Sequence, residues 1–205
     1  MKAIILTGPK HSGKTSTGKA LASLCSCSFI DLDELIHQRT GKTPRQLYTE
    51  SDNSDGSLFK QAEAEAVTYM MTTLASDSAA PAGRIIPVCA KNFSARNIIA
   101  AGGGIIDNPE AMAALKKSDV IMVYLNISAD KAWKRIASSE NGKKPKSELP
   151  PFLQTDNPQE THRLLHERRA AAYSQIADIV IETENKTPEE IARMIQASLE
   201  ALDTD

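Results

Sequence analysis

The chain has 205 residues, with 24 basic and 26 acidic side chains and a formal net charge of −2. This length is typical of one domain that buries a sizeable core, and we predict that residues 1–205 form a single domain. The balanced charge excludes the broad basic surface of a nucleic-acid-binding protein, and the chain lacks the apolar run of about 18 residues that a membrane span requires.

The start of the chain and its cysteines indicate the compartment. Met1-Lys2 leads directly into an apolar run, which leaves no room for a signal peptide. Cys25, Cys27 and Cys89 are odd in number, and a single Cys-x-Cys pair is weak evidence for a metal site. We therefore expect reduced thiols in a cytoplasmic protein, and we expect a monomer.

The first motif lies between a predicted strand and a predicted helix. Residues 2–7 form a short apolar run, and residues 15–24 have helical apolar spacing. Between them, residues 8–15 match G-x-x-x-x-G-K-[ST], a glycine loop whose backbone wraps a phosphate. Lys14 is predicted to reach the β- and γ-phosphates of ATP, and the Thr15 hydroxyl to hold Mg²⁺. The predicted nucleotide contacts are Gly8, Pro9, Lys10, His11, Ser12, Gly13, Lys14, Thr15 and Ser16.

Two acidic side chains end the second predicted strand, residues 28–33. Alternation along a strand places Asp31 and Asp33 on the same side, and ligands of open α/β sheets bind at the carboxyl ends of strands. One carboxylate can organise the Mg²⁺ shell, and the other can accept the proton of a hydroxyl substrate. The alternative is that Asp33 is the N-cap of a helix that begins at Glu34, and the two roles are compatible.

Helical patterns follow this strand. The helices are predicted over residues 34–39, from Thr43 and over residues 59–74. The longest of these helices, residues 59–74, carries an apolar stripe typical of a core helix. Lys60 and Glu63 are three residues apart, so they can pair on the other face of this helix.

A break in the pattern and a run of glycines come next. Residues 75–96 predict a surface insertion that includes one short edge strand, residues 84–88. A third strand is predicted over residues 97–101, and Gly102, Gly103 and Gly104 follow it. Three glycines after a strand indicate that the backbone must approach another group closely, and the alternative is a flexible turn.

The remaining elements are predicted over residues 119–125, 128–137 and 179–181, with helices from Pro158 and from Thr187-Pro188. Residues 138–157 are polar, contain Lys143, Lys144 and Lys146, and are too long for a simple connector, which predicts a lid. His162 and His166 have the i, i+4 spacing of a metal pair, but no third ligand is evident. Five apolar strands alternating with helices predict a parallel sheet covered on both faces.

The order of these motifs resembles the shikimate kinase family along nearly the whole chain. The resemblance depends on residues 8–15, on Phe29–Asp33 followed by Arg39–Gly41, on Ile98–Gly104 and on Arg169–Tyr173. It implies a three-layer α/β P-loop kinase fold, in which a five-stranded parallel sheet has helices on both faces and a lid. The core would comprise residues 1–137 and 158–205. The implied activity is ATP-dependent phosphorylation of shikimate to shikimate 3-phosphate, in the biosynthesis of aromatic amino acids.

The resemblance also implies roles for individual residues. Asp31 would help to hold Mg²⁺, and Asp33 would bind ring hydroxyls and act as the base beside Lys14. Gly102, Gly103 and Gly104 would line the shikimate pocket. Arg169 would pair with the shikimate carboxylate, and Pro188 would border adenine.

Three departures from the family pattern concern basic side chains. Lys60 stands where the family has a second arginine for the carboxylate, and lysine cannot form the same bidentate fork. Pro150 stands where the family has a lid arginine, so Lys143, Lys144 or Lys146 would supply that charge. An arginine that stacks on adenine is also absent near Ser138. The alternatives are therefore a related kinase for another hydroxylated acceptor, such as gluconate or a nucleoside monophosphate, and a nucleotide-binding homologue with impaired catalysis.

Overall fold

The protein is built around one parallel sheet. The computed structural model describes residues 2–51, 55–76, 95–139, 142–143, 145 and 148–202. The strands are β1 (Lys2–Thr7), β2 (Ser28–Asp31), β3 (Ala95–Ala100), β4 (Val120–Asn126), β5 (Ser138–Ser139), β6 (Gly142–Lys143) and β7 (Ile179–Glu182). Five of them form a sheet in the order β2-β3-β1-β4-β7, and all its pairings are parallel. The short β5 and β6 pair separately and antiparallel. The predicted five-stranded sheet is confirmed.

Eight α-helices surround the sheet in the described part of the chain. They are α1 (Lys14–Cys25), α2 (Leu32–Thr40), α3 (Pro44–Glu50), α4 (Ser57–Ser76), α5 (Pro109–Lys116), α6 (Ala129–Ala137), α7 (Pro158–Ile176) and α8 (Pro188–Leu202). Single 3₁₀ turns span Ile105–Asp107 and Pro151–Leu153. No described helix is both long and apolar enough to cross a membrane.

The core lies on both faces of the sheet, as the apolar strands predicted. Alternation along β1 directs Ile5 to a cluster with helices α2, α4, α5 and α7, while Ile4 and Leu6 face the cluster with α1 and α8. All three side chains are buried almost completely. A strand covered on both sides has no polar face, which explains why β1 is a continuous apolar run.

Local capping chemistry sets several helix ends where the sequence predicted them. Thr43 and Gln46 form a complete capping box at the start of α3, with Pro44 in the first turn. Gly41 ends α2 with φ +70°, in the left-handed region that glycine tolerates. These interactions involve residues close in sequence, so the pattern alone was sufficient to predict them.

The second strand is shorter than predicted, and this changes the position of one acid. β2 ends at Asp31, and α2 begins at Leu32, so Asp33 lies in the first helical turn. The prediction that Asp31 and Asp33 share one side of a strand is therefore wrong. The N-cap is Asp31, whose carboxylate accepts a hydrogen bond from the Asp33 amide at 3.1 Å.

Two predicted segments lie partly outside the described residues. α4 continues to Ser76 and β3 begins at Ala95, so nearly all of the predicted insertion 75–96, with its edge strand 84–88, falls outside. In the predicted lid 138–157, the described residues include β5, β6 and the Pro151–Leu153 turn. That turn packs through buried Leu153 against Ile136 of α6.

Candidate active site

The phosphate loop joins β1 to α1 at the carboxyl edge of the sheet. Gly8 has φ +140° and Gly13 has φ +97°, and an added Cβ at Gly8 would lie 2.7 Å from the carbonyl oxygen of Leu125. Both positions therefore require glycine. No side chain caps α1 at Gly13. Since the first amides of a helix lack partners within it, this end of α1 suits a phosphate.

The Lys14 ammonium lies inside this loop. Its Nζ donates hydrogen bonds to the carbonyl oxygens of Gly8 at 2.9 Å and Pro9 at 2.8 Å. Burial lowers the pKa of Lys14 to about 8, although the charges of Asp33 and Asp31 act in the opposite direction. The side chain thus remains mainly cationic at neutral pH, next to where a phosphate would bind.

Asp31 connects the phosphate loop to β2. The Thr15 hydroxyl donates to Asp31 Oδ2 at 2.8 Å, so the two predicted metal ligands are in direct contact. No group of three or more His, Cys, Asp or Glu residues that could hold a metal occurs among the described residues. One hydroxyl and one carboxylate fit Mg²⁺ nevertheless, because this ion usually takes its other ligands from water and substrate phosphates.

Asp33 and Glu63 converge on Gly102, just beyond the end of β3. An added Cβ at Gly102 would lie 2.7 Å from Glu63 Oε1 and 3.6 Å from Asp33 Oδ1. Desolvation by the surrounding protein raises the pKa of Asp33, and the negative charge of Asp31 raises it further. The positive charge of Lys14 lowers it. Because an added Cβ would collide with Glu63 Oε1, position 102 requires glycine.

Glu63 is a buried acid that we predicted wrongly to pair with Lys60. Its side chain is only 1% exposed, whereas Lys60 is exposed on the helix surface. Glu63 Oε2 accepts a hydrogen bond from Asn108 Nδ2 at 3.0 Å, while Oε1 has no hydrogen-bond partner. Burial raises the pKa of Glu63 to about 7. The signal was present in the sequence, because Glu63 follows Phe59 by four residues and so lies on the apolar stripe of α4.

Gly103 and Gly104 bring two further parts of the site together. An added Cβ at Gly103 would lie 2.9 Å from the backbone nitrogen of Lys10, and one at Gly104 would lie 3.0 Å from Arg169 Nη2. Arg169 Nη1 also donates to the Gly103 carbonyl at 3.2 Å. The prediction that the backbone approaches other groups closely at these glycines is confirmed. The glycines lie between the phosphate loop and Arg169, just after the end of β3.

Comparison with known proteins identifies the family. The family model described as shikimate kinase matches residues 10–76 and 85–200. The chain belongs to the shikimate kinase family. A shikimate kinase of Thermodesulfovibrio yellowstonii is 32% identical over 98% of this chain and 97% of its own length. One of Corynebacterium diphtheriae is 29% identical over 97% of this chain and 95% of its own.

Solved structures agree on the fold. Shikimate kinase from Acinetobacter baumannii in complex with shikimate has a TM-score of 0.76 at 23% identity, covering 100% of this chain and 96% of its own. A gluconokinase from Sinorhizobium meliloti has a TM-score of 0.54 at 14% identity, over 98% and 93% of the two chains. The P-loop kinase fold predicted from the sequence is confirmed, and so is membership of a family of phosphotransferases.

Two functional candidates of this shikimate kinase family member were missed in the sequence. Asp107 forms ion pairs with both Arg168 and Arg169. Arg135 of α6 donates from Nη1 to the carbonyl of His11 in the phosphate loop at 2.8 Å. It lies three residues before Ser138, where we found no adenine-stacking arginine. Neither contact has a local signal, since its partners are far apart in sequence.

The remaining predicted residues are Pro188, the two histidines of α7 and the lysines of the predicted lid. Pro188 begins α8, after the strand β7 whose carboxyl end lies at the same edge of the sheet. His162 and His166 are buried in α7, with ring centroids 5.6 Å apart, and His162 also contacts the Trp133 ring. Of the predicted lid lysines, Lys144 and Lys146 lie outside the described residues, and only the backbone of Lys143 is described, in β6.

Proposed function

We propose that this protein transfers the γ-phosphoryl group of ATP to a hydroxyl of shikimate, giving shikimate 3-phosphate and ADP. The observation that carries this proposal is the close packing around Gly102, Gly103 and Gly104. A side chain at these three positions would collide, in turn, with the Glu63 carboxyl group beside Asp33, with the phosphate loop, and with Arg169. A base candidate, a phosphate site and a carboxylate-binding cation therefore meet at one strand end.

The phosphate loop is proposed to bind ATP through residues 8–16. Lys14, held by its own loop, stabilises the charge that spreads over the phosphoryl oxygens during transfer. Thr15 and Asp31 are the residues that would hold Mg²⁺, which when bound neutralises phosphate charge. Arg135 beside His11, and Pro188 at the start of α8, are the proposed contacts for the rest of the nucleotide.

Asp33 is the proposed base. The oxygen of the acceptor hydroxyl attacks the γ-phosphorus, the bond from that phosphorus to the ADP oxygen breaks, and the hydroxyl proton passes to the Asp33 carboxylate. Desolvation and the Asp31 charge raise the pKa of Asp33, which makes it a stronger base than an ordinary aspartate, while the charge of Lys14 favours its ionised form. Glu63, with its unpaired Oε1, is placed to contact the same acceptor.

Arg169 is proposed to bind the acceptor carboxylate, with Lys60 as the second, weaker cation. Arginine presents paired N–H donors that match a carboxylate, whereas lysine presents a compact, strongly hydrated charge. An arginine whose side chain is only 17% exposed, next to Gly104, favours an anionic acceptor over a neutral sugar. Lysines of the predicted lid 138–157 would add charge when it closes. We also propose that the enzyme is a single-domain monomer of the cytoplasm.

An ADP-release assay with shikimate, gluconate and nucleoside monophosphates tests the proposal. We expect kcat/KM to be highest for shikimate, because it combines ring hydroxyls with one carboxylate. A higher value for gluconate or a nucleotide would establish a related kinase instead. Binding of ATP without ADP release on any acceptor would establish the catalytically impaired homologue.

A further inference from the structure

A carboxylate of the protein itself already contacts the proposed substrate-binding arginine. Arg169 Nε donates to Asp107 Oδ2 at 2.8 Å, and Arg169 Nη2 lies 2.7 Å from the same oxygen. Arg168 Nη1 lies 2.8 Å from Asp107 Oδ1, and its Nη2 donates to Oδ2 at 2.9 Å. Asp107 therefore bridges two neighbouring guanidinium groups of α7 from a 3₁₀ turn just beyond Gly104.

The position of Asp107 on the Arg169 guanidinium leaves two N–H donors for a second carboxylate. Asp107 occupies the edge formed by Nε and Nη2, and the Gly103 carbonyl takes one Nη1 hydrogen. An arginine has five N–H donors, so Nη1 and Nη2 each retain one. Because Gly104 has no side chain, nothing at that position displaces the guanidinium. The orientation of Arg169 is thus set before any substrate arrives.

The charges of this cluster also favour an anionic ligand. Asp107 alone would neutralise Arg169, but Arg168 adds a second positive charge, so the three side chains together carry a net +1. Burial alone would raise the pKa of Asp107, but the hydrogen bonds from Arg168 and the charge of Arg169 outweigh it and hold the pKa below its usual range. Asp107 therefore stays ionised at neutral pH.

We infer that Asp107 is a positioning residue of the acceptor site: it holds Arg169 with its Nη1–Nη2 edge ready for the acceptor carboxylate, while Arg168 restores the positive charge. This inference rests on the proposed function, because it concerns how the same acceptor is bound. It also explains how the site functions with an exposed lysine, Lys60, in place of a second pocket arginine. Preorganisation of one arginine substitutes in part for the missing fork.

The test compares three variants in steady-state kinetics. Asp107→Ala removes the support of Arg169 and should raise the KM for shikimate about tenfold, which is the order of cost of immobilising one long side chain on binding. The kcat and the KM for ATP should stay within about twofold of wild type, since neither depends on the carboxylate site. Asp107→Asn keeps an oxygen that accepts from Arg169 Nε, so its KM should remain close to wild type. Glu110→Ala, which removes an exposed carboxylate three residues away, is the matched control.

The methyl ester of shikimate gives an independent comparison. It lacks the negative charge that Arg169 is held to receive, so Asp107→Ala and wild type should differ much less on the ester than on shikimate. An unchanged or lowered shikimate KM in Asp107→Ala would overturn the inference, and so would equal losses in Asp107→Asn and Asp107→Ala accompanied by a fall in kcat. A wild-type enzyme that does not phosphorylate shikimate would instead refute the proposed function.

Discussion

Glu63→Gln should change how the stability of the protein depends on pH. Burial raises the pKa of Glu63 from 4.5 to about 7, so the folded state keeps a proton that the unfolded state has already lost between these pH values. The stability contributed by this proton is present below pH 4.5 and is lost as the pH rises through about 7. The difference between these two pKa values corresponds to about 3.5 kcal/mol in total, at about 1.4 kcal/mol per pH unit. Glutamine mimics the neutral acid and does not titrate.

Urea unfolding of wild type and Glu63→Gln at pH 5 and pH 8 measures this effect. We expect the free energy of unfolding of the variant, minus that of wild type, to be about 2.5 kcal/mol larger at pH 8 than at pH 5, because wild type loses this stability as the pH rises. Glu65→Gln is the control, because Glu65 lies on the exposed side of the same helix. A difference between wild type and Glu63→Gln that is the same at both pH values would refute the reasoning, since Glu63 would then be ionised in the folded protein at pH 5.

Four substitutions test the remaining parts of the site. Lys14→Ala should lower kcat by orders of magnitude while the circular dichroism spectrum is retained, and unchanged turnover in the folded variant would refute the kinase proposal. Asp33→Asn should abolish transfer but keep ATP binding in calorimetry, because Asp31 caps α2; loss of ATP binding together with a lower melting temperature would show a structural role. Arg169→Ala should raise the shikimate KM by about 10- to 100-fold, from the roughly 1.5–3 kcal/mol of a charged hydrogen bond, and Lys60→Arg should lower it. An unchanged kcat/KM in Arg169→Ala would show that the carboxylate binds elsewhere.

Features that involve neighbouring residues could be predicted from the sequence. The phosphate loop combines a glycine pattern with a strand before it and a helix after it, so Lys14 and Thr15 could be placed without tertiary information. The capping box of Thr43 and Gln46 spans one helical turn. The continuous apolar run of β1 indicated a strand covered on both sides, and this led directly to the parallel sheet.

The boundary between β2 and α2 shows where a local pattern was insufficient. Two aspartates separated by one residue are equally consistent with one side of a strand and with an N-cap followed by the first helical turn. The Asp31 carboxylate accepts a hydrogen bond from the Asp33 amide and so caps α2. The strand therefore ends two residues earlier than predicted. The outcome still places both acids near Lys14, because the cap lies at the same edge of the sheet.

Only the tertiary structure decided which polar side chains face the site. The sequence places Glu63 on the apolar stripe of α4. The space beside its unpaired oxygen, however, exists only because residue 102, beyond the end of another strand, is a glycine. Asp107 and Arg169 are 62 residues apart, and no local period relates them. Short-range patterns encode periodicity and caps, whereas contacts between distant elements depend on how closely two backbones can approach. In this site glycines allow that approach, and the sequence does not show which residues lie opposite them.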